Sequence, residues 1–254
     1  QGLTEFLPIS SSGHLEISKV ILGNDLSSKE SLLLTIVLHF ATALSTLVFF
    51  RKEIGEIFIG LFNSNDHESK KFSISILISM IPAVIVGLFF EETIDSLFGG
   101  NLILVGCMLY LTAGLLYLSD RIQLKKNNIS YNNSFIIGLA QAIAILPGIS
   151  RSGATIATAV VLGIDRAKAA KFSFIMVIPL IFGSMLKSII DNGGLQFQNI
   201  DFISIFLGFI SAFITGILAC KWMISLVKKS KLYYFSIYCV IVGSIIIFYS
   251  LNGV

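Results

Sequence analysis

Two short polar windows collect the side chains best suited to reaction chemistry. The first holds Gln1, Glu5, Ser10, Ser11, Ser12 and His14; the second holds Gly148, Ser150, Arg151, Ser152, Gly153 and Thr155. A carboxylate, an imidazole and adjacent hydroxyls supply what general acid/base or nucleophilic catalysis requires. Glu5 could instead hold a divalent cation against phosphate groups. In the second window the forked Arg151 guanidinium lies among hydroxyls and glycines. A helix is expected to begin near Ala154, and its free N–H groups would complete an anion site suited to phosphate. The plainer alternative is an Arg151 that only pairs with Glu5 to fix the two windows together.

The windows are copies of one another. Ile9-Ser10-Ser11-Ser12-Gly13 returns as Ile149-Ser150-Arg151-Ser152-Gly153, and Gln1 meets Gln141 in the same register. The elements around them are apolar. Hydrophobic residues make up 55% of the 254, charged residues only 13%, and the mean hydropathy is +0.87. An average soluble domain carries roughly 25% charge, so this chain belongs with polytopic membrane proteins. Six runs, near 32–50, 72–90, 101–119, 168–190, 202–224 and 232–251, reach the length of about 20 residues that a spanning helix needs. Helices are the expected form, because backbone facing lipid must satisfy its own hydrogen bonds. The segments 1–22 and 133–164 differ: Pro8 and Gly13 interrupt the first, Pro147 and Gly148 the second. Short helix, Pro/Gly/Ser loop, short helix is the pattern of a re-entrant hairpin.

Loop charge orients these elements. Most Lys and Arg fall in four connections: 51–71, 120–131, 165–171 and 225–231. The connections 91–100 and 191–201 hold no Lys or Arg and carry Glu91, Glu92, Asp95, Asp191 and Asp201. The positive-inside rule makes the first group cytoplasmic and the second external. Both flanks of 133–164 are basic, so this segment is expected to enter and leave on one side. Each half then contains a hairpin and three spans, and the odd number turns the second half upside down. The expected fold is an all-α polytopic membrane protein, with six transmembrane helices and two re-entrant helix-loop-helix hairpins in an inverted-topology repeat. A single integral membrane domain covers 1–254, with halves near 1–120 and 133–254.

Other features bound the function less sharply. A net charge of +3 spread over loops speaks for orientation and against a nucleic-acid partner. Cys107, Cys220 and Cys239 lie in apolar runs without metal-ligand spacing, which points to packing. His39, in an apolar span with Thr42, Ser45 and Thr46, reads as a hydrogen-bonded packing residue. The Gly208, Ala212, Gly216 ladder is expected to pack helices, within a protomer or across a homodimer. Gln1 opens the chain inside a motif, so residues are expected to precede it.

Both windows, in their order and separation, resemble the two signatures of the undecaprenyl-diphosphate phosphatase (bacitracin-resistance) family. One is Gln1, Glu5, Pro8, Ser10-Ser11-Ser12, Gly13 and His14; the other is Pro147-Gly148-Ile149-Ser150-Arg151-Ser152-Gly153. Phe172-Ser173-Phe174 and Pro179 extend the similarity along most of the chain. The resemblance implies hydrolysis of undecaprenyl diphosphate to undecaprenyl phosphate, recycling the carrier lipid for cell-wall synthesis and giving bacitracin resistance. It also implies a divalent cation, Mg2+ or Ca2+, and a multi-pass place in the bacterial plasma membrane with the site opening to the external face. By the same carry-over, Arg151 binds the diphosphate with Ser150, Ser152 and Thr155, while Gln1, Ser10, Ser12, Gly148 and Gly153 line the substrate. Glu5 assists the metal or acts as base, and Ser11 or His14 receives the phosphoryl group. Gln1 fills the place of an acidic residue and would be a weaker, neutral metal ligand. A flippase for a lipid phosphate, or an anion transporter, is the competing reading of an inverted repeat.

The orientation is testable. In cells expressing Asp95→Cys or Lys126→Cys, an impermeant maleimide should label position 95 and spare position 126. Labelling of position 126 from outside would overturn it.

Overall fold

A long apolar run in a bilayer has one way to satisfy its backbone unaided, and each such run of this chain becomes a helix. The computed structural model describes residues 1–22, 28–63, 66–97, 101–122, 127–191, 202–229 and 231–252. The six expected spans are α3 (Ser28–Phe49), α5 (His67–Phe89), α7 (Leu102–Arg121), α10 (Arg166–Asp191), α11 (Phe202–Lys228) and α12 (Tyr233–Leu251). Five are long and apolar enough to cross a membrane alone; the sixth, Leu33–Phe49, meets the following helix α4 (Arg51–Phe62) at a 76° bend. The protein is an all-α, multi-pass membrane protein. The interrupted segments are helix pairs: α1 (Gly2–Phe6) with α2 (Ser11–Leu22), and α8 (Tyr131–Ile143) with α9 (Arg151–Val161).

Two elements depart from expectation. The connection 51–71 contains helix α4 and the first residues of α5, not an open loop. Its charges, Arg51, Lys52, Glu53 and Glu56, alternate with Ile54 and Ile57, which pack against the core. The charges hide an amphipathic period. The acidic connection at 91 likewise forms a short helix, α6 (Glu91–Leu97), whose first turn carries Glu91 and Glu92, where carboxylates suit the exposed N–H groups. Lys125, Lys126 and the segment 192–201, with Asp201, lie outside the described residues.

Two pairs of spans run antiparallel, α7 with α12 and α3 with α10. Along α7 and α12, Gly106 faces Gly243, Ser236 Oγ donates to the Ala113 carbonyl at 2.7 Å, and Tyr233 N–H donates to Asp120 at 2.8 Å. Along α3 and α10, Phe40 meets Phe182 and Phe50 meets Phe174. The short arms cross between halves: α1 packs on α11, and α8 on α5. Beneath them lies an apolar core that includes Phe6, Leu109, Phe172, Phe174 and Met223, all buried. The Gly208, Ala212, Gly216 ladder is used within the chain, against Leu34 and Leu38, Gly2, and Ser45 with Phe6. Cys220 and Cys239 are buried and unpaired, and Cys107 is exposed.

The α8–α5 crossing is close enough that a Cβ at Gly138 would collide with the backbone of Ser79, whereas one at Gly114 would meet nothing within 4 Å. Gly138→Ala should therefore destabilise the fold by about 1–3 kcal/mol. Thermal unfolding in detergent should show a lowered midpoint for Gly138→Ala and none for Gly114→Ala.

Candidate active site

Both breaks are built to one plan. Ser10 Oγ accepts the Gly13 N–H at 3.2 Å and lies 3.3 Å from Ser12 Oγ. In the second copy, Ser150 Oγ accepts the Gly153 N–H at 3.1 Å and lies 3.2 Å from Ser152 Oγ. Each serine caps the helix that follows it by taking up an N–H that the helix itself cannot satisfy. That cap starts α9 at Arg151, three residues before the expected Ala154. Ser11 and Arg151 thus occupy the same position, the first residue of a helix after a break. The backbone is forced at both turns: Gly148 has φ +94°, and Ser10, which carries a side chain, has φ +68°. A left-handed serine costs energy and persists only where its surroundings impose it.

The two breaks also lock into each other. A Cβ on Gly13 would come within 3.2 Å of Gly148, and one on Gly153 within 3.2 Å of Pro8. Ser152 Oγ donates to the Leu7 carbonyl at 3.2 Å. The third span of each half reaches the opposite break: Thr112 Oγ1 donates to the Gly148 carbonyl at 3.3 Å, and Cys239 Sγ to the Pro8 carbonyl at 3.7 Å. The N-termini of α2 and α9 thereby meet at one residue, Glu5, which both Ser11 and Arg151 contact. The aligned peptide dipoles of the two helices make the space around it favourable to negative charge.

The buried carboxylate of Glu5 lies at the centre, with its residue 8% exposed. Oε1 accepts Arg151 Nη2, across the two halves. Oε2 accepts Gln1 Nε2 at 2.9 Å and Ser11 Oγ at 2.7 Å. The last contact places a hydroxyl proton on a carboxylate, as activation of a nucleophile requires. Two buried polar atoms of this cluster have no hydrogen-bond partner: Arg151 Nη1, a donor, and Gln1 Oε1, an acceptor. Buried groups left unpaired are costly, so a pair of them beside one carboxylate marks where a polar ligand fits.

The structure brings Gln1, Glu5, Ser11 and Arg151 into direct contact, with Ser10, Ser12, Gly148, Ser150, Ser152 and Gly153 forming the two caps around them. Two expected residues face elsewhere. Thr155 bonds to Ser173 Oγ at 2.7 Å and to the Arg151 carbonyl, joining α9 to α10. His14 has its Nδ1 2.8 Å from the Ser10 carbonyl and its Nε2 2.8 Å from Tyr238 Oη, with the two rings stacked. It lines an apolar cavity of about 290 Å³ with Ile17, Leu102, Tyr238, Val242 and Ile246. Sequence reasoning missed His39, whose Nε2 lies 3.2 Å from Gln1 Nε2 while its Nδ1 is 2.8 Å from the Thr35 carbonyl. The available signal was a histidine at the middle of an apolar span. It carried no distance to Gln1.

The chain matches known proteins along nearly its whole length. The family described as Bacitracin resistance protein BacA matches residues 1–245. The chain is 60% identical over 243 residues to the undecaprenyl-diphosphatase of Christiangramia forsetii, covering 96% of this chain and 92% of that protein. It is 52% identical over 250 residues to the undecaprenyl-diphosphatase of Bacteroides fragilis, covering 97% and 93%. A protein of the same name from Methanobrevibacter smithii is 39% identical over 262 residues, covering 97% of this chain and 92% of its own length.

Removing one partner of the buried pair leaves an uncompensated charge, a loss of about 3–5 kcal/mol. Arg151→Met should therefore lower thermal stability in detergent more than the double change Glu5→Gln with Arg151→Met. Equal losses would show that the pair contributes nothing as a pair.

Proposed function

This chain belongs to the BacA bacitracin-resistance family, and from that premise we propose that it hydrolyses undecaprenyl diphosphate to undecaprenyl phosphate and inorganic phosphate. The observation that carries the reading to particular atoms is the Ser11 hydroxyl 2.7 Å from a carboxylate whose other oxygen holds Arg151. Arg151, with Nη1 free, turns to the diphosphate oxygens between the two helix N-termini. Glu5, released in part from its ion pair, takes the Ser11 proton as Oγ attacks the terminal phosphorus. The bond from that phosphorus to the bridging oxygen breaks, and undecaprenyl phosphate leaves with the electron pair on its new terminal oxygen. Water then attacks the phosphoserine phosphorus. The phosphorus–Oγ bond breaks as Glu5 returns its proton to Ser11 Oγ, and both protons of the water leave with inorganic phosphate as dihydrogen phosphate. His14 stands outside this sequence, held by Ser10 and Tyr238.

The donor atoms suit a hard divalent cation, Mg2+ or Ca2+. Glu5 and the unpartnered Gln1 Oε1 would hold it, with the remaining ligands taken from phosphate oxygens and water, as such cations prefer at phosphoryl-transfer sites. Among the described residues no three His, Cys, Asp or Glu side chains gather as a protein-only cage. When bound, the cation would neutralise charge on the phosphate oxygens.

The inverted-repeat reading is supported by the antiparallel spans and by serine caps 140 residues apart that make the same hydrogen bonds. The acidic connections favour a site opening to the external face of the bacterial plasma membrane. The cavity beside His14 has the apolar lining that the phosphate-proximal part of a prenyl chain requires. The flippase or transporter reading is not favoured, since the relatives of this chain are named for the hydrolase.

Phosphate release from a detergent-solubilised sample given polyprenyl diphosphate tests the assignment. Ser11→Ala and Glu5→Gln should each lose about 10²–10⁴-fold in kcat, the usual contribution of acid/base and nucleophilic groups, and His14→Ala about tenfold or less. Full turnover by Ser11→Ala would remove Ser11 as the nucleophile.

A further inference from the structure

His39 projects from the apolar span α3 and touches the site through one residue. Its Nδ1 is 2.8 Å from the Thr35 carbonyl. A carbonyl can only accept, so Nδ1 carries the proton and Nε2 of the neutral ring is an acceptor. That Nε2 lies 3.2 Å from Gln1 Nε2. The same amide nitrogen lies 2.9 Å from Glu5 Oε2. The two N–H groups of Gln1 are then divided between two acceptors, one on each side. Turning the amide over would set its oxygen against both Glu5 and His39, three acceptors with no proton among them. His39 and Glu5 together leave the amide one orientation, in which Oε1 is buried and unpartnered.

We propose that His39 is a positioning residue, which acts through Gln1 to aim the amide oxygen at the cation that accompanies the substrate. The proposal rests on the hydrolase reading above. An imidazole among lipid-facing helices is expensive unless its nitrogens are used, and here one is anchored to its own helix and the other reaches the site. Because Gln1 is neutral, nothing but hydrogen bonds decides which end of its amide faces the ligand. A carboxylate at that position would present an oxygen either way and would gain nothing from an acceptor beside it. The need for His39 is therefore specific to glutamine at position 1.

The test compares the unaltered chain with His39→Leu, His39→Gln, Gln1→Ala, and Gln1→Ala combined with His39→Leu. Kinetics of phosphate release are paired with the side-chain amide signals of Gln1 in ¹⁵N-glutamine-labelled protein, read without substrate or metal. His39→Leu should lower kcat/KM about tenfold, the loss of one buried hydrogen bond, and should shift the Gln1 amide signals. His39→Gln offers an acceptor oxygen and should keep most of the activity. In the Gln1→Ala background, His39→Leu should change the rate less than about twofold, since the groups it couples are no longer both present. Equal effects of His39→Leu in both backgrounds, or unmoved Gln1 amide signals, would overturn the proposal. Absence of phosphate release by the unaltered chain would instead sink the hydrolase reading, and the amide signals would still decide the His39 contact.

Discussion

The Glu5–Arg151 ion pair is the constraint on which the site depends. It joins a residue of α1 to the first residue of α9, from opposite halves of the chain, in surroundings where a lone charge would be costly. Each partner makes the other tolerable, and neither alone has a reason to lie at this depth. The pair also sets the geometry of everything nearby. With Oε1 committed to Arg151, Oε2 is left for Ser11 and Gln1. In the proposed mechanism an arriving diphosphate would offer Arg151 a better anion than a single carboxylate, so that binding of the substrate and release of the base would be one event.

The backbone prepares that exchange before any ligand is present. Two capped helix N-termini converge because the breaks interlock through Ser152 and Leu7, Gly13 and Gly148, and Gly153 and Pro8. Most of these contacts occur in pairs, one for each half. Thr112 serves the Gly148 carbonyl as Cys239 serves that of Pro8. The two windows share the Ile-Ser-x-Ser-Gly pattern and differ at its central residue, Ser11 in one and Arg151 in the other, and at Glu5, whose counterpart is Ile145. Ser11 stands where Arg151 stands in the other copy, and both reach Glu5.

Much of this was legible in the residues, for reasons that can be named. The spans follow from length and apolarity alone, and both breaks follow from Pro and Gly. Glu5, Ser11 and Arg151 were legible because polar groups in an apolar chain need a reason. What could not be read depends on distances between segments remote in sequence. Nothing in its own helix ties His39 to Gln1, and nothing near His14 in number ties it to Tyr238. In space, His14 turns toward Tyr238, from the far end of the chain. Helix α4 was hidden by its own charges, and α9 starts earlier than expected because Ser150 caps it.

In the proposed mechanism Ser11, prepared by Glu5, carries the phosphoryl group. Rapid acid quench of the protein during turnover of polyprenyl diphosphate labelled in its terminal phosphate measures this directly. The account predicts acid-stable label on the peptide containing Ser11, rising before inorganic phosphate and then falling. Complete turnover with no label on the protein at any time would contradict it.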